Sequence, residues 1–315
     1  MEAFRLNDIN EIKRIMDRPA PPSKKGRVAE FAYPSGKHGI KHAMVYTPWC
    51  YDEKDINTRY DILYMMHGAN SGIHTFLWDE GTDSHFKNIL DHAIAAGEIR
   101  PLIVVTPGLY PDENVKKYKG QEADLASEFT DELVKKLMVS VESMYMTWAD
   151  SMDHEGFKAS RGHRAFGGFS MGAVVTWYTL ARHLDYFSTF MPVCGDCWQK
   201  GRFGGEKEPE ATARWLADSV SDYLTNGCYS PLDYRIYCAT GAKDMALPGM
   251  TNQLGAMKNY PEVFRPGEGF GSECCLPSEG SNLYYILSEA GEHDYKWAAS
   301  YFYSALKAWL GPAGK

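Results

Sequence analysis

Short, nearly unbroken apolar runs recur along the chain, each closed by Gly or Pro: 62–66, 102–106, 165–169, 189–193, 235–239 and 283–287. A strand with one wet face alternates apolar and polar residues, whereas a strand covered on both faces does not, so these runs predict a buried parallel sheet. Helical patterns lie between them. From 124 to 144 the apolar residues Leu125, Phe129, Leu133, Leu137 and Val141 fall at every fourth position and make one stripe. Residues 171–183, 209–224 and 294–310 predict further helices. Upstream, 26–33 and 40–47 are β-prone and separated by Pro34, Gly36 and Gly39, which predicts an antiparallel hairpin. The first 25 residues read as a polar helix and a connector carrying Pro19, Pro21 and Pro22, an N-terminal extension or linker. Strand alternating with helix gives an α/β fold with a mostly parallel, doubly wound sheet, antiparallel N-terminal strands and helices on both faces. One domain over 26–315 accounts for the rest of the chain.

Composition narrows the function. Hydrophobic residues make up 44% and charged residues 23%, which is globular, and the net charge of −8 leaves no basic surplus for nucleic acid or an anionic membrane. No apolar run is long enough to span a bilayer. The start, rich in both acids and bases, is no signal peptide. That fits a cytoplasmic chain, or a secreted one whose leader lies outside this sequence. Seven cysteines include a C-x-x-C pair, Cys194 and Cys197, and the adjacent Cys274 and Cys275. Without a second C-x-x-C pair they do not make a zinc site, and they read as packed thiols or one local bridge. His38 and His42 are four apart, but Gly36 and Gly39 break any helix there, so no metal is expected. No phosphate-binding glycine loop occurs, and no cofactor is implied.

The chemistry centres on Gly168-Phe169-Ser170-Met171-Gly172, a G-x-S-x-G pentapeptide between a strand-like run and a helical one. That is the setting of a nucleophile elbow, in which a serine on a sharp turn needs neighbours without Cβ atoms. A serine hydroxyl is a poor nucleophile without a base and a carboxylate to orient that base. Two histidines follow Ser170. His183 closes the helix behind the elbow and reads as a cap. His293, in Gly291-Glu292-His293-Asp294, follows the last strand, where the base belongs. Two carboxylates compete to orient it: Asp244, directly after the preceding strand, is the favoured one, and Asp196, in Cys194-Gly195-Asp196-Cys197-Trp198, reads as shaping the pocket beside Trp198. The backbone N–H of Met171 and that of Ala69, in His67-Gly68-Ala69, are the expected oxyanion donors, with His67 a buried residue that fixes its loop.

Taken together, H-G-A, G-F-S-M-G, C-G-D-C-W, T-G-A-K-D and G-E-H-D-Y-K-W resemble the esterase D-like group of the α/β-hydrolase superfamily. Within it the chain looks like the feruloyl and acetylxylan esterases of carbohydrate esterase family one, from about residue 26 to 310. The resemblance implies an α/β-hydrolase fold, Ser170 as nucleophile, His293 as base and Asp244 as its partner. It also implies that Trp198 and the insertion 245–280 wall an acyl pocket. Within that insertion, 264–276 reads either as a mobile lid carrying Phe270 or as a plain surface loop. The expected activity is hydrolysis of feruloyl esters on plant arabinoxylan through an acyl-enzyme. Acetylxylan hydrolysis, S-formylglutathione hydrolysis and a non-catalytic carbohydrate-binding module are the alternatives.

Overall fold

A computed structural model describes residues 2–78, 84–112, 114–227 and 229–312. Its strands are β1 (Phe4–Arg5), β2 (Arg27–Gly36), β3 (Gly39–Thr47), β4 (Asp61–Met66), β5 (Leu102–Pro107), β6 (Arg164–Phe169), β7 (Thr189–Val193), β8 (Arg235–Lys243), β9 (Cys274–Cys275) and β10 (Leu283–Glu292). Eight of them form one sheet in the order β10-β8-β7-β6-β4-β5-β3-β2. The pairs from β10 to β5 are parallel, and β3 and β2 add antiparallel strands at one edge.

Every residue of β4, β5, β6 and β7 is buried, which is why these strands read as apolar runs. Alternate residues feed two cores. Ile62, Tyr64 and Met66 face one; Leu63 and Met65 face the other. The helices α1 (Ile9–Met16) and α2 (His85–Ala95) contribute to the second core. The helix α3 (Glu122–Glu132), a π turn at Leu133–Leu137 and α4 (Met138–Glu142) cover the first. After the short α5 (His154–Ala159), α6 (Met171–Arg182), α8 (Pro209–Asn226) and α9 (Leu247–Met257) join that first face, with the one-turn α7 (Gly204–Lys207) between α6 and α8. The last helix, α10 (Tyr295–Leu310), lies on the second. Among the described residues no helix is long and apolar enough to cross a membrane.

Three expectations change. The helix predicted over 124–144 contains a π turn. A strict spacing of four overshoots a 3.6-residue turn by about 40° per step, so the stripe would drift off the core. The wider turn takes up the drift, and Leu125, Phe129, Leu133, Leu137 and Val141 are all buried. The N-terminal segment is no loose extension: Phe4, Ile12, Met16 and Ala20 are buried, and β1 pairs antiparallel with β9, Phe4 opposite Cys275. Third, 264–276 is not a lid. Gly267 N–H donates to Leu283 O, Gly271 N–H to Tyr285 O, and Leu287 N–H to Ser272 O, so the segment is bonded along the outer side of β10. The backbone of an edge strand needs such partners, and this strap supplies them. The Phe270 ring packs at 5.5 Å against Tyr285.

Candidate active site

The elbow's glycines are demanded by contact. A Cβ on Gly168 would stand 2.2 Å from the Gly172 carbonyl oxygen, and one on Gly172 would stand 2.2 Å from that of Met66. Chain from β6 to α6 therefore turns tightly against the end of β4. At the apex Ser170 has φ 56° and ψ −112°, a region side chains avoid, held by its N–H bond to Val193 O at 2.9 Å.

The base and its partner arrive by strand register. Strands β8 and β10 run four and five residues beyond their apolar cores, and their last pair is Lys243 opposite Glu292. The next residues, Asp244 and His293, are thereby neighbours. This close approach needs Gly241 and Gly291, since a Cβ on Gly241 would lie 2.1 Å from Gly291 O. His293 Nδ1 is 2.7 Å from Asp244 Oδ1, and its Nε2 is 2.9 Å from Ser170 Oγ. A carboxylate only accepts, so Nδ1 carries the proton and donates it, leaving Nε2 to accept from the serine hydroxyl. Asp244 Oδ1 also accepts from the Ala246 N–H at 2.7 Å. The structure brings these three residues together and excludes the other candidates. His183 lies at the far end of the 12-residue α6, about 18 Å along the helix axis from Ser170. There it caps through its backbone N–H, and its Nε2 lies 3.8 Å from Asp131. Burial pushes that imidazole down to about 4.

Asp196 does not reach the imidazole in any hydrogen bond. Its Oδ2 accepts from Gly205 N–H at 2.7 Å and its Oδ1 from Trp198 Nε1 at 3.2 Å, so it fixes the Trp198 ring at the cleft. Burial raises its carboxyl above the usual range. Together with Ser170 and His293, Asp196, Trp198, Phe203, Met245 and Ala246 line a cleft of about 30 Å³; Phe270 does not line it. Cys194 borders the same cleft, with its sulfur within 4.8 Å of the nearest Asp244 and His293 ligand atoms. Burial, reinforced by the Asp244 charge, pushes its thiol well up, so it remains S–H and offers no competing nucleophile. No disulfide joins Cys194 to Cys197 or Cys274 to Cys275; all four are free.

Met171, the first residue of α6, has an N–H with no acceptor inside its helix. On the facing loop, Gly68 N–H donates to the Tyr295 hydroxyl and Asn70 N–H to the Tyr110 hydroxyl, which fixes the backbone on both sides of Ala69. His67 holds the loop from beneath: Nδ1 donates to Gly68 O at 2.8 Å and Nε2 accepts from Leu109 N–H at 3.2 Å. Burial lowers its imidazole to about 4, so it stays neutral in this two-sided bond. Sequence reasoning missed Tyr295. Its hydroxyl ties Gly68 and Ser71, while Phe169 lies between its ring and that of His293, at 4.8 and 4.7 Å. Its place two residues after the histidine was the available signal.

Known proteins share this architecture. Residues 40–262 match the model of the Esterase family. The chain is 35% identical over 298 residues to Endo-1,4-beta-xylanase Y of Acetivibrio thermocellus, covering 93% of this chain and 24% of that protein. It thus spans about a quarter of that curated relative. A serine-to-alanine mutant of the feruloyl esterase module from Clostridium thermocellum, complexed with sinapinate, superposes with a TM-score of 0.72 at 33% identity, over 93% of each chain. A second solved structure, of an FAE, gives 0.75 at 32%, over 98% of this chain and 96% of that one. The fold is the α/β-hydrolase fold, with its antiparallel strands at the N-terminal edge.

Proposed function

Starting from the premise that the chain belongs to the Esterase family, we propose that it hydrolyses feruloyl and related hydroxycinnamoyl esters on plant arabinoxylan. The observation that carries the reading is the line of hydrogen bonds from Asp244 through His293 to Ser170, 2.7 and 2.9 Å long, ending on a hydroxyl at a solvent-reached cleft. As Ser170 Oγ attacks the ester carbonyl, His293 Nε2 takes its proton, and Asp244 stabilises the imidazolium that forms. The carbonyl oxygen becomes an oxyanion against the N–H groups of Met171 and Ala69. Such a donor is worth about 2.7–4 kcal/mol of barrier. His293 then gives the proton to the departing sugar oxygen, leaving Ser170 acylated. Water enters, is deprotonated by the same Nε2 and releases the acid.

Likeness to a module that binds sinapinate, a ring-bearing cinnamic acid, supports the aromatic acyl group. So does the Trp198 ring, locked by Asp196 at the cleft. At about 30 Å³ the cleft holds little more than a water, so the acyl ring extends beyond it, past the lining residues Trp198 and Met245. Aromatic contacts there contribute about 0.5–1.5 kcal/mol beyond the area covered. The test is a side-by-side rate measurement on methyl ferulate and acetylated xylan. Ferulate release is expected to dominate; acetate release with ferulate at background overturns the reading.

A further inference from the structure

The carboxyl edge of the sheet is divided at β6. The Ser170 cleft is built from the chain after β6, β7, β8 and β10, all on one side of the elbow. On the other side, across the loop that carries Ala69, lies a cavity of about 670 Å³. Its walls are the chain after β4 and β5, the start of β3, and Glu30 of β2. Antiparallel pairing of Ala43 with Pro107 brings the start of β3 to this edge. We propose that this cavity is a saccharide site, which holds the alcohol half of the ester while the acyl half extends past the small cleft on the Trp198 side; the proposal rests on the esterase reading above.

Three observations carry it. The first is geometry. The two halves of an ester extend to opposite sides of its carbonyl, and the two depressions lie on opposite sides of Ser170. Strands in a sheet stand about 4.8 Å apart, so the cavity over β4, β5 and β3 reaches roughly 5–15 Å from β6, the span of one to three sugar units. The second is size: the cavity falls within the range of about 300–1,000 Å³ typical of ligand sites, and the cleft by the serine does not. The third is chemistry. A neutral sugar presents hydroxyls around its rim and C–H groups on its faces. The wall alternates in kind, with Glu30, His42, Asn70 and Asp112 offering donors and acceptors and Ile40 and Ile73 offering apolar surface. Lys41 also lines the cavity, but its charge is taken up by Glu132 at 2.9 Å, so the wall suits a polyol better than an anion, which Glu30 and Asp112 would repel. His42 Nδ1 contacts Glu30, and such a paired imidazole and carboxylate is fixed to meet adjacent hydroxyls.

The experiment uses the whole chain, with methyl ferulate and a feruloylated arabinose–xylose oligosaccharide as substrates, and the unesterified oligosaccharide as inhibitor. The wild type is expected to favour the oligosaccharide in kcat/KM and to be competitively inhibited by the unesterified sugar. His42→Ala, away from Ser170, should lower that preference about tenfold through KM and weaken the inhibition, with methyl ferulate turnover kept. Ile40→Trp, which narrows the cavity from an exposed position, should act in the same direction. Equal rates on both substrates in the wild type, or variants that slow both alike, overturn the saccharide site while leaving the esterase reading intact. Failure to release any ferulate from methyl ferulate overturns both.

Discussion

Strand β6 is six residues long, with Arg164 as its first residue and Ser170 just past its last, so it joins a buried polar cluster to one that opens on a cleft. At its amino end Arg164 donates to both oxygens of Glu142 at 2.8 Å, to the carbonyls of Phe157 and Tyr186, and to the Ser160 hydroxyl. The hydroxyls of Tyr64 and Thr147 complete Glu142. Every donor of the guanidinium is occupied, and both charges are almost fully enclosed. At the carboxyl end the polar groups are left short. Asp244 Oδ2 is buried yet accepts from no N–H or O–H group among the described residues, and Ser170 sits at a positive φ with its hydroxyl at the cleft. The lesson concerns saturation. A buried ion pair whose bonds are all made holds structure, whereas a strained, partly unsatisfied chain of groups at a solvent-reached cleft keeps capacity for reaction.

The contrast is sharpest in what substitutions do. Ser170→Ala should reduce methyl ferulate turnover on the scale of about 10⁶ while thermal unfolding stays unchanged or improves, since the hydroxyl stabilises nothing but the chemistry. Residual turnover near wild type would move the nucleophile elsewhere. Arg164→Met should behave in the opposite sense. Left unpaired, the buried Glu142 should cost about 3–5 kcal/mol in denaturant unfolding, while the folded fraction keeps its specific activity. An unfolding cost below about 1 kcal/mol, as for a surface ion pair, would erase the distinction between the two ends.

A smaller effect separates His293 from His67, an imidazole at the cleft and one that holds a loop from beneath. His67 is held at about 4 when folded, against an ordinary 6.5. As pH falls below 6.5 the unfolded chain takes up a proton that the folded one refuses until about 4. Stability is therefore whole above that window and declines through it, by up to about 1.4 kcal/mol per pH unit. His183, lowered in the same way, adds in the same direction. Unfolding free energies measured across the window should show a shallower decline in His67→Gln than in the wild type; identical slopes would remove His67 from the account.

Much of this was legible in the chain because its signals were steric or few. The glycines beside Ser170 are set by contacts of 2.2 Å, so the pentapeptide could be read as an elbow. Only two histidines follow the serine, and the helix pattern separated them. Where the signal failed, backbone did work that side chains do not announce. The ends of β8 and β10 contain Gly241, Lys243, Ala290 and Gly291 and look like loop, although their pairing is what sets Asp244 beside His293. The strap 264–276 is polar and glycine-rich, and its role depends on main-chain bonds to β10 that no composition reveals. The carboxylate is different: the strand order already favoured Asp244 over Asp196, and it is Asp244 that bonds the imidazole.

The short pairing of Phe4 with Cys275 has a practical reach. Anyone who joins this unit to another polypeptide, or trims it for expression, meets a boundary that lies ahead of Phe4 and not at the prolines near position 20. A cut at those prolines would strip the outer rung from the strap beside β10 and lay bare the cysteine opposite, which is now wholly enclosed. The resulting sticky margin would invite self-association between molecules whose chemistry remained intact.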